Sequence, residues 1–140
     1  MELPVELIGL PIERGAILHS SIFEYVDHGK YFVVIGVSGE CAVGFFFINS
    51  NISHTIWDKQ EQLDMQYPLK KADYDFLRYD SFLCCTNILR INKSDLMLSI
   101  QDGRTSYIGE LLPRHREEIL ELVRNSKLFS KVEKEEFFYR

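Results

Sequence analysis

The segment Tyr31 to Val37 limits the possible folds of this chain more than any other. It is a near-continuous apolar run containing Val33, Val34 and Ile35. Its shortness and its β-branched side chains fit a buried strand rather than a helix. Ser38-Gly39-Glu40 supplies turn chemistry, and Cys41 to Ile48 is a second run of the same kind. The two runs therefore predict a β-hairpin.

Other segments extend this core. Gly15 to Tyr25 reads as a strand, followed by the turn Asp27-His28-Gly29-Lys30. Tyr67-Pro68-Leu69 reads as an edge strand, where proline is tolerated, and Asp80 to Ile91 as one longer strand. Asn92-Lys93-Ser94 and Asp102-Gly103 are turn signals. Asp95 to Ile100 is either a strand or a short helix, and Ile108 to Leu111 is a brief strand. Pro113 to Ser126 carries Ile119, Leu122 and Val123 at helical spacing, with proline in its first turn, and predicts a helix. Strands followed by a terminal helix argue for a mainly β domain, either a small barrel or an α+β fold, and against a doubly wound α/β sheet. The 140 residues predict one domain, with an extended N-terminal arm over 1–14 and a C-terminal extension over 127–140. In that extension Phe129 and Val132 are expected to pack back, with Lys131 to Glu136 solvated.

Composition narrows function. A net charge of −5 argues against a protein that grips duplex DNA through its overall field. Only Arg14, Lys30 and Lys59 are cationic within residues 1–60, so a single cation there stands out. The three cysteines, Cys41, Cys84 and Cys85, have neither zinc-ligand nor CxxC spacing, and read as reduced, mostly buried thiols of a cytoplasmic protein. No apolar run reaches the ~18 residues of a membrane span, and Met1 to Ile12 lacks the basic start of a signal peptide. There is no GxGxxG, Walker, HExxH or nucleophile-elbow motif.

The order and spacing of five weak motifs resembles the MazF/PemK toxin family. Gly15-Ala16-Ile17-Leu18 resembles its opening strand. His28-Gly29-Lys30 followed by Val33-Val34-Ile35 resembles its first turn and central strand. Phe46-Phe47-Ile48-Asn49-Ser50 resembles the strand ending in a catalytic Thr or Ser. Asp80 to Ile88, with Ile91-Asn92-Lys93, and Gly109-Glu110-Leu111 complete the likeness over residues 15–126.

The resemblance implies an SH3-like barrel with a C-terminal helix, assembled as a homodimer. It also implies a metal-independent, cofactor-free endoribonuclease acting on single-stranded RNA. In that family the 2′-hydroxyl attacks the adjacent phosphate, leaving a 2′,3′-cyclic phosphate and a 5′-hydroxyl, and an antitoxin occupies the same groove. Three positions depart from the pattern: Lys30 replaces Arg, Tyr31 replaces Pro, and Thr86-Asn87 replaces an acidic-Gln pair.

The candidate catalytic residues are Lys30, Ser50 and His28, with His19, Trp57 and Tyr67 as RNA contacts. Lys30 supplies charge to a phosphate, although without the bidentate fork of Arg. Ser50 donates a hydrogen bond, and His28 or His19 carries protons near neutral pH. Trp57 and Tyr67 offer stacking surfaces for unpaired bases. Each has a plainer reading as a solvated turn residue or a packing aromatic. His54 reads as an idle loop histidine and His115 as a surface residue of the helix. The alternative function is a non-catalytic barrel that binds a peptide or protein.

Overall fold

The computed structural model describes residues 12–23 and 29–139. The proposed arm up to Pro11, the distal end of the first strand, and the turn residues Asp27 and His28 lie outside the described residues.

Seven strands form one sheet: β1 (Ala16–Ser20), β2 (Lys30–Val37), β3 (Ala42–Asn49), β4 (Gln66–Leu69), β5 (Ser81–Cys84), β6 (Leu89–Asn92) and β7 (Thr105–Glu110). All pairings are antiparallel, in the order β4-β5-β3-β2-β1-β7, with β6 also on β3. Four helical segments follow the numbering α1 (Gln60–Leu63), α2 (Lys93–Gln101), α3 (Pro113–Arg124) and α4 (Lys131–Glu133). The fold is thus the mainly β, α+β arrangement read from the sequence. None of the described helices is long and apolar enough to cross a membrane.

The sheet does not close into a barrel. Strand β3 forks: its start, Ala42 to Phe45, pairs with β6, and its end, Ile48 and Asn49, pairs with β5. The expected single strand over Asp80 to Ile91 is therefore two strands. Turn residues Cys85 to Asn87 carry the chain from one half of β3 to the other. At the β4 edge the neighbouring element is a helix rather than another strand. Tyr67 of β4 donates its hydroxyl to Glu118 of α3 (2.9 Å), and Tyr74 accepts a bond from the Leu112 amide (3.0 Å).

Alternation along the central strands builds two cores. Ile17, Val33, Ile35 and Phe46 face Ile119, Leu120 and Val123 of α3, together with Phe129, Phe137 and Phe138. Leu18, Phe32, Val34 and Phe45 face Leu96 and Ile100 of α2. A strand covered on both faces reads as unbroken apolar sequence, which explains the composition of Tyr31 to Val37.

Local chemistry fixes the helices. Asn92 is not a simple turn residue: its side chain accepts the Ser94 amide at 2.9 Å and caps α2, so Asp95 to Ile100 is helical. Pro113 starts α3, and Leu120 rather than Leu122 joins Ile119 and Val123 in full burial. Ser130 and Glu133 form a reciprocal capping box (3.1 and 2.8 Å) that starts α4. That start leaves Val132 68% exposed, against expectation, while Phe129 is buried as expected. A π turn over Lys134–Phe138 then delivers Phe137 and Phe138 into the core, both fully buried. Gly36 permits this docking, since a Cβ there would meet the Phe137 carbonyl oxygen at 2.1 Å. The same carbonyl accepts Arg14 at 2.9 Å.

Hydroxyls stitch α2 to the sheet. Ser99 donates to the Leu96 carbonyl (2.7 Å), so Thr105 donates to Ser99 (2.7 Å) and Ser20 to Thr105 (2.6 Å). Each hydroxyl has one proton, so the first bond sets the direction of the rest.

Truncating Phe138 tests the C-terminal docking. Phe138→Ala is expected to cost about 3–5 kcal/mol, the usual range for a core Phe, whereas Val132→Ala changes stability by less than about 0.5 kcal/mol. Urea unfolding of the two variants checks the contrast, and equal losses would refute the described docking.

Candidate functional site

Hairpin register brings two distant residues together. Phe32 pairs with Phe47, and continuing that antiparallel register places Lys30, at the start of β2, opposite Asn49, at the end of β3. The Lys30 ammonium donates a hydrogen bond to Asn49 Oδ1 and lies 5.4 Å from the centre of the Phe47 ring. Lys30 is therefore a half-buried strand residue rather than a solvated turn lysine. Burial lowers its pKa below the ordinary lysine value, opposed by the nearby Cys84. Ser50, exposed, follows Asn49 directly.

Lys30 and Ser50 line two adjoining hollows. The larger, of about 810 Å³, includes Asn49, His54, Trp57, Gln66, Cys84 and Thr86. The smaller, of about 260 Å³, is formed with Tyr31, Phe76, Arg78, Tyr79 and Ser81. Another hollow of about 530 Å³, between α1 and α3, carries Glu61, Asp64, Glu118 and Glu121 against the single cation Lys127. Four carboxylates would repel a phosphate, so the pair of hollows at Lys30 is the better candidate for an anionic ligand.

Trp57 lines the larger hollow and is 59% exposed. Its indole nitrogen donates to the Ile52 carbonyl (3.3 Å), and its ring packs on His54 with centres 4.1 Å apart. The cap that Ser53 places on the short turn His54–Ile56 holds this corner. His54, read from sequence as idle, thus belongs to the cleft wall.

Two of the expected RNA contacts are elsewhere. Tyr67 is not among the residues lining either hollow, because its hydroxyl is committed to Glu118. Burial, and then that carboxylate, push its pKa well up. His19 stands behind the smaller hollow, with its ring 4.5 Å from that of Tyr31. Gly29 makes room for it, since a Cβ at Gly29 would lie 2.0 Å from the imidazole. His115 is no surface residue. It is buried at the start of α3, with Nδ1 2.7 Å from the Tyr74 hydroxyl. His28 lies outside the described residues.

Sequence reasoning did not single out Asn49, Gln66, Arg78 or Tyr79. Asn49 was legible as the strand-end neighbour of Ser50. Arg78 and Tyr79 sit in a loop with no local pattern, and only the fold brings them to Lys30. Thr86 reaches the larger hollow, with its hydroxyl 3.4 Å from Cys84 Sγ. Among the described residues, no three His, Cys, Asp or Glu side chains form a metal-binding group.

The thiols divide three ways: Cys41 is exposed, Cys84 half-buried in the cleft wall and Cys85 buried. Cys41 therefore departs from the expectation of mostly buried thiols. It occupies the hairpin turn with φ +63°.

No family model matches the chain, and no curated protein matches it significantly.

Burial pushes the Cys85 thiol well above its ordinary value. The folded state thus keeps this proton where the unfolded chain loses it. The stability contribution is complete below the ordinary thiol value of ~8.5 and falls as pH rises above it, by up to about 1.4 kcal/mol per pH unit. Cys85→Ala is expected to flatten the decline between pH 8 and 9.5. Urea midpoints of both proteins across that range check it, and parallel curves would refute the assignment.

Proposed function

We propose that this chain binds single-stranded RNA at the paired hollows and cleaves it without metal by attack of the 2′-hydroxyl on the adjacent phosphate. One observation carries the reading: a half-buried cation and an exposed hydroxyl, Lys30 and Ser50, share a cleft with an exposed Trp57. A phosphate, a developing oxyanion and an unpaired base need those three kinds of partner.

In this mechanism the Lys30 charge and the Ser50 hydroxyl stabilise the pentacovalent phosphorane. Asn49 positions the ammonium by accepting one of its three protons, leaving two for phosphate oxygens. A proton carrier must take the 2′-hydroxyl proton and another must protonate the 5′-leaving oxygen. His54 in the cleft wall is the described imidazole best placed for one role. His28, two residues before Lys30, is the sequence-based candidate for the other. A homodimer and an antitoxin that covers the cleft belong to the same reading, as does action in the cytoplasm.

A second reading, peptide binding without catalysis, is favoured by the amides of Asn49 and Gln66 beside the apolar Ile52, Ile56 and Trp57. Side-chain amides pair readily with an extended main chain.

The two readings separate on incubation of the pure protein with mixed single-stranded RNA in EDTA. Cleavage to 2′,3′-cyclic phosphate and 5′-hydroxyl ends is expected. Lys30→Ala should lose about 10²–10³ in rate, by analogy with removal of one oxyanion donor, in a protein that still unfolds cooperatively. Lys30→Arg should match or exceed the parent, because the guanidinium offers two parallel donors. Cleavage by Lys30→Ala at the parental rate would overturn the mechanism, and RNA left intact by every form would favour the peptide reading.

A further inference from the structure

We propose that the smaller hollow seats a second unpaired nucleobase, so that the ligand is a single strand splayed at one phosphate, with one flanking base in each of the two hollows at Lys30. This rests on the reading of the cleft as an RNA site and extends it to the form of RNA recognised.

The geometry supplies the argument. Lys30 and Ser50 line both hollows, so a phosphate held by them borders two adjoining recesses. Consecutive nucleosides are joined by one phosphate, so the two bases that flank it have one recess each. Three aromatic side chains among the described residues are strongly exposed: Trp57, Tyr79 and Tyr139. Two of the three stand in these recesses, one in each. Exposed rings beside a cation are the usual platform for unpaired bases.

The smaller recess adds its own features. At about 260 Å³ it lies below the ordinary range of small-molecule pockets, ~300–1,000 Å³, and so suits one base rather than a larger ligand. Tyr31 and Phe76, with ring centres 4.8 Å apart, form an apolar wall. Arg78, exposed beside Tyr79, supplies a second cation for the next phosphate along the strand. Two bases that point into different recesses cannot stack on each other or pair with a second strand. Duplex RNA is thereby excluded by shape, independently of sequence.

The test measures binding without cleavage. A fluorescein-labelled, 2′-O-methylated hexanucleotide is titrated by anisotropy against the parent, Tyr79→Ala, Tyr79→Trp, Trp57→Ala and Tyr139→Ala. Tyr79→Ala and Trp57→Ala should each weaken binding roughly 5- to 150-fold, the range for loss of one base stack. Tyr79→Trp should retain affinity, and Tyr139→Ala should bind as the parent does. Arg78→Gln should lower the slope of log affinity against log salt by about 0.7, one phosphate contact on a single strand. Parental affinity in Tyr79→Ala with a loss in Trp57→Ala would overturn the second seat while leaving the RNA site standing. Absence of RNA binding by the parent would overturn both. Duplex of the same sequence bound as tightly as the single strand would overturn the splayed geometry.

Discussion

A hairpin that is apolar on both faces cannot rest against one layer. Phe32, Val34 and Phe45 point one way from β2 and β3, and Val33, Ile35 and Phe46 the other. Each buried side chain of this size contributes roughly 1.5–3 kcal/mol, so neither face can be left wet. The rest of the chain supplies the two covers. Helix α2 closes one side, locked by the chain of hydroxyls from Ser20 to Ser99. Helix α3 closes the other, together with the rings of Phe129, Phe137 and Phe138.

The candidate site inherits its geometry from the open end of that hairpin. Lys30 and Asn49 meet because antiparallel register makes them neighbours, and a register slip of one residue would turn one of them to the opposite face. Ser50 follows from the same register. The loops that complete the hollows, carrying His54 and Trp57 on one side and Arg78 and Tyr79 on the other, flank β4 in the chain, and β4 pairs with β5, which pairs with the end of β3. Positions are thus set by a rigid sheet, while chemistry is carried by loops, the common division of labour in binding sites.

Much of this was legible in the sequence. Unbroken β-branched and aromatic runs announced β2 and β3, and proline with helical spacing announced α3. The convergence of Lys30 and Ser50 followed from expecting a hairpin between them. What remained hidden depended on tertiary pairing. The break at Cys85 to Asn87 is required by the fork in β3, which no local pattern encodes. Of the small barrel and the α+β domain that the element order allows, the barrel fails, because the sheet ends where α3 meets β4. Tyr67 was misplaced because its partner, Glu118, is remote in sequence, and His115 because the buried hydroxyl of Tyr74 satisfies it. The capping box Ser130 to Glu133 is a readable signal of a new helix within a segment whose charges otherwise read as a solvated face.

The pairing of β1 with β7 joins Ala16 to Glu110, so the outer part of the sheet links its first strand to its last. Everything between them is a loop whose closure entropy must be met before that pairing returns any stabilisation. The central hairpin, by contrast, closes across the short turn 38–41. Loop-closure entropy therefore favours the hairpin over the β1–β7 pairing as an early contact. Such non-local strand pairing places a domain on the millisecond-to-second side of folding times. During that interval the apolar faces of β2 and β3 stand partly uncovered, and the chain is then most open to association with other unfolded chains.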